Sequence, residues 1–276
     1  MSRWLISVIY ILSTLSLAAQ SLEDYRVWFV DADGPNANIG GVDLDGQNRT
    51  VDYSDPVLVF PDGAVPSSLI TGSDGKVYGT LDSGHIFRIE EDGSGYELVH
   101  SLPGIVDGNP LLESPDGNFY GLTTTGKIYK AVPGVFEAQA IYTFSNPDDG
   151  LTPIGRLVED ADGVLYGLCR QGGTGSVFHP SNPFPNTNQA GTIFKVNKDG
   201  TGFTKLFDFN FLDGIRPISL ILGSDGFLYG NTAEGGSYNK GVLFRVKTDG
   251  TEYTVINNFL LVTSYPGARG AISEYD

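Results

Sequence analysis

Short apolar runs of four or five residues alternate with Asp-Gly turns along most of this chain. In one stretch the runs are Ser67-Ser68-Leu69-Ile70, Lys76 to Thr80, His85 to Ile89 and Tyr96 to His100. Ser73-Asp74-Gly75 joins the first pair and Glu91 to Gly95 the last. Asp-Gly between apolar runs marks a β-hairpin, because glycine takes a positive φ without steric cost. The third run, Ile86-Phe87-Arg88-Ile89, is apolar but for one charged position, as a largely buried strand is. It returns as Ile193-Phe194-Lys195-Val196 and as Leu243-Phe244-Arg245-Val246. The pattern predicts an all-β chain of four hairpin-connected strands per unit.

The unit repeats. Ser73-Asp74-Gly75-Lys76-Val77-Tyr78-Gly79 recurs as Pro115-Asp116-Gly117-Asn118-Phe119-Tyr120-Gly121, as Ala161-Asp162-Gly163-Val164-Leu165-Tyr166-Gly167 and as Ser224-Asp225-Gly226-Phe227-Leu228-Tyr229-Gly230. Its tyrosines fall at 78, 120, 166 and 229, a spacing that fits one four-stranded β-propeller blade per repeat, lengthened once by an insertion. The repeats are expected over 66–102, 110–144, 153–211 and 217–259. The segment 26–60 resembles a blade without its first strand, with Val27-Trp28-Phe29-Val30 second, Gly41-Val42-Asp43-Leu44 third and Thr50-Val51-Asp52-Tyr53 or Val57-Leu58-Val59-Phe60 fourth. Gly270-Ala271-Ile272-Ser273-Glu274 supplies a lone first strand. The expectation is therefore five blades, the last shared between 26–60 and 268–276, which would leave no open sheet edge. The competing account is a piece of a longer array ending at Asp276.

Met1 to Gln20 has one positive charge, an apolar stretch from Trp4 to Leu17 and small residues at Ala18-Ala19. That is the pattern of a secretory signal peptide, and it leaves 21–276 as a single propeller domain. The expected location is outside the cell, secreted or at its surface. Cys169 is the single cysteine, so stability must come from burial and strand pairing, and a small apolar filler just after a strand is its expected role. The net charge is −16, which disfavours nucleic acid and anionic membranes, both bound through Lys and Arg. A soluble monomer is expected, with no membrane insertion after signal cleavage.

The stretch from Gly214 to Thr232, continuing through Glu234-Gly235-Gly236-Ser237 to Gly241-Val242-Leu243-Phe244-Arg245-Val246, resembles the GloVer (choice-of-anchor) tandem repeat of exported bacterial proteins. The second copy departs from it, lacking the Gly-Gly loop and carrying Val132-Pro133-Gly134 in place of the last Asp-Gly turn. The resemblance implies an exported propeller-like scaffold and supplies no catalytic residues.

Candidate chemistry falls into three groups. A second Asp-Gly series, with Asp62, Asp107, Asp149 and Asp213, precedes each first strand. These carboxylates could ring the mouth of a central channel and hold Ca²⁺, which takes six to eight oxygens. Turn chemistry explains the same residues and is the preferred reading. Asp31-Ala32-Asp33-Gly34 and Asp160-Ala161-Asp162-Gly163 look superficially like calcium loops but lack the further ligands. The long connection from Arg170 to Ala190 carries Arg170, Phe178, His179, Phe184 and Asn186, and the matching loop of the next repeat carries Tyr238, Asn239 and Lys240. Aromatic faces beside amide and cationic donors suit sugar recognition, although any solvated loop contains them too. His85 and His100 are expected to be structural or solvated, and the Gly172-Gly173-Thr174-Gly175 run lacks the Lys-Ser or Lys-Thr of a phosphate loop.

The function expected is a non-catalytic recognition scaffold that binds a glycan or a cell-surface protein through the face carrying 170–190. The alternatives are a polysaccharide hydrolase or lyase using a pair such as Asp149 and Asp213, and a purely structural repeat module.

Overall fold

The computed structural model describes residues 26–31, 38–43, 64–91, 93–104, 109–175 and 190–260. Among them there is no helix. Four antiparallel sheets of four strands follow one another along the chain. The first contains β3 (Pro66–Thr71), β4 (Val77–Leu81), β5 (His85–Ile89) and β6 (Glu97–Ser101). The second contains β7 (Leu112–Glu113), β8 (Phe119–Thr123), β9 (Lys127–Ala131) and β10 (Gln139–Thr143). The third contains β11 (Leu151–Glu159), β12 (Val164–Gln171), β13 (Thr192–Asn197) and β14 (Thr204–Asp208). The fourth contains β15 (Ile215–Leu222), β16 (Phe227–Glu234), β17 (Val242–Lys247) and β18 (Thr254–Asn258). Each sheet is ordered as its strands occur in sequence, so every connection is a hairpin.

The repeated motif has two mechanical parts. The tyrosine hydroxyl reaches back to its turn aspartate: Tyr78 to Asp74 at 2.9 Å, Tyr120 to Asp116 at 2.9 Å and Tyr229 to Asp225 at 2.8 Å. The third copy differs from the sequence pattern. Tyr166 donates to Asp160 at 2.8 Å, not to Asp162 of the aligned motif. Asp160 stands where the first and fourth copies have Gly72 and Gly223, and its carboxylate also accepts the N–H groups of Asp162 and Val164. The second part is the glycine after the tyrosine. Gly79, Gly121, Gly167 and Gly230 lie opposite Phe87, Tyr129, Phe194 and Phe244 in the ladder. A Cβ at any of the four would collide with the facing ring. The ring lies over the bare backbone and is fully buried, and each such ring contributes about 1.5–3 kcal/mol of burial.

Between sheets the aromatic pattern also repeats. Tyr142 and Phe144 of the second sheet pack on Phe194 and Phe203 of the third. Phe207 and Phe209 of the third pack on Phe244 and Tyr253 of the fourth in the same way. The first strands are linked in series. Ser68 Oγ lies 3.5 Å from the Asn109 carbonyl, Asn109 Oδ1 accepts the Gly155 N–H at 2.9 Å, and Gly155 abuts the Ile218 carbonyl. Successive first strands are thus neighbours in series. On the hairpin side, Lys198 of the third sheet pairs with Glu159 and donates to Ser114 of the second at 2.7 Å.

β1 (Arg26–Asp31) and β2 (Asn38–Asp43) pair with each other in the antiparallel register Val27↔Val42 and Phe29↔Gly40. The expected signal peptide and the expected closing strand at 268–276 lie outside the described residues, as does the expected fourth strand at 50–60. Cys169 needs one correction: it sits inside β12, paired with Pro153 and Thr192, and does not follow the strand. It is fully buried, and burial pushes its thiol well above the ordinary range.

Candidate functional site

The connections between second and third strands share a face with the connections that lead into each first strand. Gly173 N–H donates to the Pro147 carbonyl at 2.9 Å, and Gly236 N–H to that of Phe211 at 2.7 Å. The opposite face carries the tight hairpins. Length varies on the first face: β4 to β5 is bridged by 82–84 and β8 to β9 by 124–126. β16 to β17 is bridged by 235–241, and β12 to β13 by 172–191. Insertions collect where the scaffold tolerates them and where recognition is usually carried.

The two longer loops share a clip. Asp208, at the end of β14, accepts the Thr174 N–H at 2.9 Å and the Thr174 hydroxyl at 3.1 Å. Asn258, in the matching place on β18, accepts the Ser237 N–H at 2.7 Å. Gly173 and Gly236 pass so close to these side chains that a Cβ would strike them. In the third sheet the loop base is closed by Gly191 N–H to the Gly172 carbonyl at 3.1 Å. The glycine-rich run is therefore a structural clasp, with one of its N–H donors spent on the protein's own carboxylate. The base also leans on the next sheet, since Arg216 N–H donates to the Ala190 carbonyl at 2.9 Å.

Of the eight predicted loop residues, four are described. Arg170, Tyr238, Asn239 and Lys240 are all exposed. Asn239 is a turn residue with φ 53°, its Oδ1 accepting the Gly235 N–H at 3.0 Å. No hydrogen bond or ion pair among the described residues joins Arg170 to 238–240. Phe178, His179, Phe184 and Asn186 lie outside the described residues.

Asp62 and Asp107 of the second Asp-Gly series also lie outside them, and Asp149 and Asp213 lie within. Asp213 accepts from the Asn210 amide, whose own oxygen caps the turn at Leu212 N–H. Burial raises the Asp213 carboxyl above its ordinary value, opposed by the Asn210 hydrogen bond. The glycines of the series are tightly packed: Gly150 (φ 134°) lies against Cys169 and Thr192, and Gly214 (φ 95°) against Thr232 and Val242. Turn geometry thus accounts for both described copies. Among the described residues no three His, Cys, Asp or Glu side chains gather as a metal site requires. The Asp160 carboxylate, part of a calcium-like sequence, is taken up by its own turn and by Tyr166. His85 is half-buried beside Ser83, and His100 is buried with Nδ1 2.9 Å from the Val135 carbonyl.

Sequence reasoning missed three features near the first strands. Asn109 is buried and ties the second sheet to the third. Thr152 and Arg216 both take φ 56° immediately before a proline, a conformation that costs about 1–3 kcal/mol. Arg156 is exposed on β11 with no partner among the described residues. Only the shared Gly-x-x-Pro spacing before β11 and β15 hinted at the second feature.

No protein-family model matches the chain, and no curated protein matches it in sequence. Solved structures do match. Virginiamycin B lyase from Staphylococcus aureus is similar at 15% identity and a TM-score of 0.55, over 86% of this chain and 68% of that one. The extracellular domain described for a hybrid two-component system of B. thetaiotaomicron is similar at 13% identity and a TM-score of 0.54, over 90% of this chain and 28% of that one. A streptogramin B lyase structure is 20% identical with a TM-score of 0.48, and the chain spans about half (54%) of its length. With four repeated four-stranded antiparallel sheets, the first two likenesses establish a β-propeller scaffold.

Proposed function

We propose that this protein is an exported, non-catalytic recognition scaffold that binds a glycan or another surface protein through the face carrying residues 170–190. The observation that carries the reading is the confinement of loop-length variation to that face, on a loop whose base is closed and clipped by Asp208. A rigid base under a long insertion is how propeller-like scaffolds present a variable contact surface. Exposed Tyr238 offers an aromatic face for stacking on a sugar ring, with Lys240 and Arg170 as donors. The N-terminal signal-like segment and the GloVer-like repeats support export. The same reading includes a five-bladed ring whose last blade is shared by 26–60 and 268–276. A calcium ring at Asp62, Asp107, Asp149 and Asp213 is the weaker part of the proposal.

The test is a glycan array with a parallel pull-down against extracellular polymers, using the intact chain and a variant with 176–189 replaced by a short Gly-Ser linker. Binding by the intact chain and its loss in the shortened one, at unchanged melting temperature, is expected. Blank results for the intact chain across all ligands would remove the proposal.

The hydrolase or lyase alternative would use Asp213, whose half-buried carboxyl is held above its ordinary value by burial, as a general acid. Turnover of a polysaccharide by the intact chain, abolished in Asp213→Asn, would decide for it.

A further inference from the structure

Cations among the described residues mostly have partners: Lys198 has Glu159, Arg88 has Glu97, Arg216 has Glu234, and Arg245 lies over the Phe227 ring. Arg156 has none. Its place in the fold is specific. β11 has β12 along one edge, β7 and β8 against one face and β15 against the other. Arg156 is exposed while the adjoining Leu157 is fully buried, so the guanidinium is open to solvent.

The backbone beneath it is held in place. Gly155 takes φ 79° where the β11–β12 register shifts between Ile154 and Val158. Such bulges re-aim a side chain. Asn109 fixes the Gly155 N–H from one side, and the Ile218 carbonyl packs against Gly155 from the other. Burial also pushes the Arg156 guanidinium below its ordinary value although the side chain remains open to water, as in a crowded recess.

We propose that Arg156 anchors an oxyanion site on β11, its planar fork taking a carboxylate through paired hydrogen bonds. The carboxylate comes either from a free small acid or from a uronic-acid unit of a short acidic glycan. The site is separate from the 170–190 loop and stands whether or not that loop recognises anything.

Titration calorimetry on the intact chain at low salt tests it with three probes: acetate, a galacturonate trisaccharide and neutral maltotriose. At least one carboxylate probe is expected to bind tenfold or more tighter than maltotriose. Acetate binding as well as the trisaccharide identifies a small acid, and binding of the trisaccharide alone identifies an acidic glycan. Arg156→Ala should weaken that binding tenfold or more with its melting curve unchanged, and Arg156→Lys should recover only part, having lost the fork. The proposal is overturned if neither carboxylate outperforms maltotriose, or if Arg156→Ala binds like the parent. Loss of binding in the loop-shortened variant with Arg156→Ala unaffected would overturn this site and leave the loop face standing.

Discussion

The ring of Phe203 lies flat on that of Tyr142, centroids 4.1 Å apart and planes 8° from parallel, across the junction of two successive sheets. Tyr253 on Phe207 repeats the arrangement at the next junction, at 4.0 Å and 7°. Offset aromatic pairs add about 0.5–1.5 kcal/mol to the area they bury. Phe203→Ala is expected to cost about 2–4 kcal/mol in urea unfolding, somewhat under the figure for a fully buried Phe. A loss under about 0.5 kcal/mol, the usual surface range, would mean that the stacks do not hold the sheets together.

Tyr129 occupies the place held by Phe87, Phe194 and Phe244 in the other sheets, and its buried hydroxyl has no hydrogen-bond partner among the described residues. Burial pushes its ionisation far above the ordinary value. Tyr129→Phe should raise stability by about 1 kcal/mol, since an unpaired buried hydroxyl carries a penalty of about 1–3 kcal/mol. A lower melting temperature in that variant would show that the hydroxyl is satisfied in solution.

Asp160 and Asp162, two residues apart in one turn, should differ sharply in their contribution. Asp160→Ala removes the acceptor for Tyr166 and for two backbone N–H groups and should cost about 1.5–3 kcal/mol. Asp162→Ala should stay within about 0.5 kcal/mol. Equal effects in denaturant melts would refute the displaced lock.

Two groups set distinct pH windows. Burial raises the Asp116 carboxyl, but hydrogen bonds from Asn118, Tyr120 and Ser114 outweigh it and bring the group down to about 2. Its contribution is complete above the ordinary carboxylate value and fades as pH falls through about 2. Asp116→Asn should therefore flatten the fall in melting temperature on the acid side of pH 4. His100 is held below its ordinary value by burial, partly offset by the Val135 carbonyl. Protonation then favours the unfolded chain, and stability should begin to drop as pH falls below about 6.5. His100→Phe should remove that slope, and a slope unchanged in the variant would assign it elsewhere.

Local features were legible in the sequence and distant ones were not. The Asp-Gly turns, the four-strand unit and the bounds of the four sheets follow from chemistry within a few residues. The tyrosine–glycine pair was visible as a pattern, but its cause, a facing ring on the third strand, needed the register. Asn109 and Gly155 lie 46 residues apart, and neither carries a signal of its own. The bond from Tyr166 to Asp160 was not visible in the aligned motif, where Asp162 fills the repeat position. The glycine-rich run was visible, but the partner of its Thr174, Asp208, lies beyond the insertion. Half of the predicted loop residues fall outside the described structure.

The clasp between Asp208 and Thr174 separates the 172–191 connection from the sheet that bears it. Both ends are fixed before the insertion begins, so residues in between can be exchanged, lengthened or shortened without renegotiating the register of β12 and β13. Each doubling of a flexible loop costs only about 0.6 kcal/mol in closure entropy. The connection therefore behaves as an interchangeable cartridge, in which new specificity can be acquired while the barrel of repeats beneath it stays as it is.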